Sequence, residues 1–132
     1  MANILFCHSM EGMKEVWRQI LEESGHSVAT AKNMQEAYDH LSDKKKQFDL
    51  VVTHLHFDGK QDGTAAMWLC EKAITKFQTK VALLSANPGE AARLLRAASW
   101  GSRAQQMGLT LLLDLNHDHS YTTFVTNMFL AV

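Results

Sequence analysis

Four short apolar runs constrain the fold more than anything else in this chain. They are Ile4 to Cys7, Phe48 to Leu55, Val81 to Leu84 and Leu109 to Leu115. Each is shorter than an ordinary helix and reads as a buried strand. The β-branched run from Phe48 to Leu55 also lacks the alternation of a half-exposed strand, so it reads as buried on both faces. Ser27 to Thr30 supplies a fifth, shorter strand.

The intervening stretches carry the helical period. Met13, Val16, Trp17, Ile20 and Leu21 recur at helical spacing and stop at Gly25. Asn33 and Glu36 form an N-x-x-E capping box ahead of Met34, Ala37, Tyr38 and Leu41. Gly59, Asp62 and Gly63 mark a loop, and Ala66, Leu69, Cys70, Ala73 and Phe77 line the helix after it. Asn87, Pro88 and Glu90 form a strong helix start, with Leu94, Leu95 and Ala98 on its core face and a break near Gly101. Ser120 caps a last helix bearing Tyr121, Phe124, Val125, Met128 and Phe129.

The order βαβαβαβαβα predicts an α/β fold: a parallel sheet with helices on both faces. Right-handed crossovers and five strands fit a flavodoxin-like three-layer sandwich of strand order 2-1-3-4-5. The 132 residues, 46% hydrophobic and 20% charged, suit a single domain over 1–132. In such a sheet the site lies beyond the carboxyl ends of the strands, beside strands 1 and 3. That picks out His8-Ser9, His54 to Gly63, Ser85 to Asn87 and Leu115 to His119.

Charge and apolar content exclude several classes. A net charge of −1 offers no global attraction to nucleic acid or an anionic membrane. The one charge run, Lys44-Lys45-Lys46, reads as a solvated helix end. The opening residues do not form a signal peptide, and no run approaches the ~20 apolar residues needed to cross a bilayer. Cys7 and Cys70 form no CxxC and read as buried free thiols in a reducing, cytoplasmic setting.

Three segments resemble the receiver domain of two-component response regulators: ILFCHS at the end of strand 1, FDLVVTHLHFDGKQDG for strand 3 and its loop, and VALLSAN for strand 4. Asp49, the run Leu50 to Thr53, and Asp62-Gly63 keep the family's strand 3 frame, and Ser85-Ala86 keeps its strand 4 signature. The resemblance implies a phosphoacceptor pocket at His8, Ser9, His54 and Ser85. In the family an acidic pair after strand 1 holds Mg²⁺, an aspartate ends strand 3, and a lysine follows strand 5. Here those positions hold His8 and Ser9, then His54, and no lysine occurs after Lys80. Mg²⁺ prefers oxygen ligands over imidazole, so Mg²⁺ is not expected and ordinary aspartyl phosphorylation is expected to be lost. Asp58 or Asp62 could substitute as acceptor, but both lie in a glycine-containing loop.

This degenerate pattern implies a stand-alone pseudo-receiver, not an enzyme, that docks onto signalling proteins: a kinase, an effector or a scaffold. The chain is expected to end within its last helix with no output domain. Arg93, Arg96, Trp100 and Arg103, on the face of the last two helices and strand 5, are the candidate partner contacts. The oligomeric state is left open.

The histidines supply the competing reading. His8, His54, His56, His117 and His119 all follow strands 1, 3 and 5, whereas His26 and His40 read as exposed. Three imidazoles, first His8, His54 and His117, could hold zinc or another transition metal, with a carboxylate such as Asp58, Asp62, Asp114 or Asp118, or a water, as fourth ligand. None of their spacings matches a recognised metal motif, and no cofactor is otherwise expected. Clustered imidazoles could also sense pH. Other flavodoxin-like chemistries fit less well: FCHSMEG is not a cobalamin motif, HSMEGMK is a poor phosphate loop, and Ser85 lacks a G-x-S-x-G elbow.

Overall fold

The computed structural model describes residues 3–8, 11–54, 64–85, 93 and 110–113. Its elements are β1 (Asn3–Cys7), α1 (Glu11–Glu23), β2 (Ser27–Ala31), α2 (Met34–Ser42), β3 (Leu50–His54), α3 (Thr64–Thr75), β4 (Lys80–Ser85) and β5 (Thr110–Leu113). The five strands form one parallel sheet in the order β2-β1-β3-β4-β5, as the alternation of runs predicts. The helices predicted from Asn87 and from Ser120 lie outside the described residues, although Arg93 itself is helical.

Side chains of successive strand residues alternate between the two faces, so the central strands feed two cores. Ile4, Phe6, Leu50, Val52 and Ala82 pack with Trp17 and Leu21 of α1 on one face. Leu5, Cys7, Val51, Val81 and Leu83 pack with Ala37 and Leu41 of α2 and with Leu69, Cys70 and Ala73 of α3 on the other. Strands β1 and β3 are therefore buried on both faces, which is why their sequences run apolar without a break. Both cysteines are free and buried, as expected.

Local chemistry sets the element ends. Gly25 adopts φ of 95° after α1. The His26 N–H reaches the Leu21 carbonyl at 3.1 Å and the Gly25 N–H reaches that of Glu22 at 3.0 Å, a Schellman closure. At α2 the Asn33 side chain accepts the Glu36 N–H at 2.9 Å. The Glu36 carboxylate reaches back to the Lys32 N–H at 3.0 Å, one residue before the cap. Asp49 ties the starts of two strands together. Its N–H donates to the Asn3 carbonyl at 2.7 Å and its carboxylate accepts the Asn3 N–H at 2.8 Å.

Six expectations are corrected. Strand β3 begins at Leu50, not Phe48, because Asp49 turns its polar groups to Asn3. Phe77 lies past the end of α3, in the turn that places Gln78 at φ 53°. Val16 is 39% exposed, whereas Lys14 is buried, so the buried stripe of α1 runs through 14, 17 and 21. Trp68 falls in a helical pattern and so reads as core, yet it is 36% exposed and stands outside it. His26 is buried at 6% exposure, pulled in by the closure that follows Gly25. His40 is half-buried, with Nε2 3.2 Å from the Thr30 carbonyl and Nδ1 2.9 Å from Lys46 Nζ. Lys44, Lys45 and Lys46 are exposed after α2, as a solvated helix end requires.

Candidate functional site

The site expected from topology lies where β1 and β3 end side by side. Their register runs from Ile4↔Leu50 to Cys7↔Thr53. One step further brings His8 level with His54. His8 continues the ladder to the other neighbour as well, because its N–H donates to the Ala31 carbonyl at 3.1 Å. Position 8 follows 4 and 6, and position 54 follows 50 and 52, so both imidazoles fall on the face covered by α1.

The result is a stacked pair. The ring centroids of His8 and His54 are 4.5 Å apart, with 29° between the planes. Phe6 stacks beneath His8 at 6.3 Å and 9°. His8 is 2% exposed and His54 is half-buried, so the pair runs from the core towards the rim. Neighbouring strand ends thus bring His8 and His54 into direct contact.

Lys14 was not anticipated at this edge. It sits one turn before Trp17 on the buried side of α1. The helix begins at the carboxyl end of the sheet, so Lys14 lies closer to that edge than Trp17 does. The 14-17-21 spacing carries this signal in the sequence, where a lysine in a stripe is easily read as solvent-facing. A long aliphatic stem lets lysine occupy such a position.

The remaining predicted residues divide in two. Ser85 ends β4 at the same edge, in register with Leu113 of β5. Arg93 is exposed. Ser9, His56, Asp58, Asp62, Arg96, Trp100, Arg103, Asp114, His117, Asp118 and His119 lie outside the described residues. Among the described residues no group of three or more His, Cys, Asp or Glu is placed to hold a metal ion. The described donor set is two imidazoles, short of the three protein ligands of a catalytic zinc or the four of a structural one.

No protein-family model matches the sequence, and no curated protein matches it. Solved structures do. A response regulator from Thermotoga maritima superimposes with a TM-score of 0.73 at 20% identity, over 99% of this chain and 97% of that one. The fold is that of a receiver domain. The chemotaxis response regulator CheY4 of Vibrio cholerae gives a TM-score of 0.72 at 15% identity, over 100% of this chain and 99% of that one. The non-phosphorylated HemR receiver domain of Leptospira biflexa gives 0.70 at 20%, over 100% and 96%. In the receiver fold, the His8–His54 pair stands at the carboxyl edge beside the switch in strand order. Among the described residues no helix is long and apolar enough to cross a membrane.

Proposed function

We propose that this chain is a receiver-like signalling module that works by docking onto other proteins, without aspartyl phosphorylation. The observation that carries the reading is the His8–His54 stack at the ends of β1 and β3. By resemblance to receivers, position 54 belongs to the phospho-accepting aspartate and position 8 to the acidic pair that holds Mg²⁺.

Phosphoryl transfer to a receiver needs a carboxylate nucleophile and a hard cation held by oxygen ligands. Two imidazoles supply neither. Lys14, buried on α1, adds no carboxylate to hold the cation. Signalling then falls to surfaces. Arg93 is exposed, and with Arg96, Trp100 and Arg103 it forms the proposed contact set for a kinase, effector or scaffold protein.

The test is incubation with acetyl phosphate and Mg²⁺, followed by intact-mass analysis. The expected result is an unchanged mass. A phosphoryl adduct mapped to Asp58 or Asp62 would overturn the reading.

A further inference from the structure

We propose that the groove between α2 and α3 is a second docking site, built for an acidic segment of a partner protein that presents an apolar anchor between carboxylates. It lies on the opposite sheet face from the His8–His54 pair and does not depend on what happens at the β3 tip.

The groove has a volume of about 450 Å³ and is lined by Met34, Gln35, Tyr38, Trp68 and Lys72. Its floor is aromatic. The Tyr38 ring lies 5.7 Å from that of Trp68 at 40°, and 5.7 Å from that of Phe77 in an edge-on contact. Trp68 is 36% exposed, a large apolar surface for a side chain that packing could have covered. Met34 supplies a flexible thioether, which adapts to varied apolar partners.

The rim is cationic. Lys72 Nζ stands 5.9 Å from the Trp68 ring. Lys76 Nζ stands 4.9 Å from the Tyr38 ring and 5.5 Å from that of Phe77, and it donates to the Tyr38 hydroxyl. That ammonium lowers the affinity of the Tyr38 hydroxyl for its proton. Ring faces attract and orient both ammonium groups, so less side-chain freedom is lost when a carboxylate arrives.

The acids of α2 point elsewhere. Glu36, Asp39 and Asp43 line a different hollow with Thr30, His40 and Lys46. Glu36 is further held by the Lys32 N–H, and Asp39 by the Gln35 amide. One flank of α2 is thus acidic and the other opens on lysines over aromatic rings. A segment with an apolar centre and acidic flanks fits that second flank by shape and by sign.

The probe is a blocked hexapeptide with leucine and phenylalanine at its centre and two glutamates on each side. Its control carries lysines in place of the glutamates. Binding to the ¹⁵N-labelled chain is read at the Trp68 indole N–H by NMR. The acidic peptide should give a saturable shift of that resonance, and the lysine peptide should not.

Combined Lys72→Glu and Lys76→Glu should bind the acidic peptide about tenfold more weakly, the size expected when two exposed charge pairs turn repulsive. Trp68→Ala, read instead at the side-chain amide of Gln35 in the groove, should abolish binding while the circular dichroism of the fold is kept. Equal binding of the two peptides, or an unmoved Trp68 resonance at millimolar peptide, would overturn the proposal. So would a Trp68 shift that follows protein concentration alone, because the occupant would then be a second copy of the chain.

Discussion

The His8 and His54 imidazoles stack 4.5 Å apart at the ends of two neighbouring parallel strands. Parallel register puts them level, and side-chain alternation puts them on one face. Two imidazoles can stack face to face, whereas two carboxylates in their place would repel and call for a cation. We expect the pair to need no ion to hold it together.

Zinc titration tests that statement. Calorimetry with the wild-type chain should show no stoichiometric uptake, and His54→Ala should leave the heats unchanged. Stoichiometric uptake abolished by His54→Ala would instead establish the metal reading with His8, His54 and His117.

His26 gives the chain a pH dependence of known sign. Burial holds its imidazole below the ordinary value of 6.5. Between the lowered value and 6.5 the unfolded chain binds a proton that the folded chain refuses, so stability rises with pH across that window. The contribution is complete above 6.5 and is lost as pH falls from there through the lowered folded-state value. Urea midpoints of the wild-type chain should drop between about pH 7.5 and about pH 5.5 more steeply than those of His26→Gln.

Gly25→Ala isolates a backbone cost. A Cβ at this position meets nothing within 4 Å, so packing is not disturbed. The φ of 95° is the difficulty, and about 1 kcal/mol of stability should be lost. A lower denaturant midpoint at unchanged m-value is the expected signature.

Asn33→Ala removes the acceptor of the Glu36 N–H. The loss should be about 1 kcal/mol, in the range of other helix caps. Asn33→Asp should restore most of it, because aspartate caps as well as asparagine. Equal stability of all three chains would show that the cap contributes nothing.

The two thiols should be inert in the folded chain. Burial pushes Cys70 up to about 12. Burial and the neighbouring Cys70 push Cys7 well above its usual value. Reactivity needs thiolate and access, so Ellman's reagent at about pH 8 should label neither until urea unfolds the chain. Two equivalents should then react together.

How much of this was legible depended on the length of the signal. The strands announced themselves because β1 and β3 are buried on both faces, which leaves no polar residue to blur the run. Gly25 and Asn33 did so because each meets a demand that few residue types can meet. Single-residue burial was harder. Trp68 looks like core by type, yet it sits two positions from Ala66 and therefore off the stripe through Ala66, Leu69, Cys70 and Ala73. Phase was the better guide there, but it misled at Val16, which recurs at helical spacing and is 39% exposed while Lys14 is buried. His26 could not be placed from its neighbours, because a closure around Gly25 carries it inward. The stack of His8 on His54 was readable only once the strand order was known.

The position of β1 between β2 and β3 has a consequence for synthesis on the ribosome. The βαβ unit made before β3 can pair β1 with β2, but the other edge of β1 must wait for residues 50–54. Asp49 then closes a 46-residue separation onto Asn3. Until that moment an apolar strand has an open edge, which invites pairing with a neighbouring nascent chain. A pause in translation between α2 and β3 should therefore favour aggregation through β1, and a pause after β3 moves the open edge to β3 until residues 80–85 arrive.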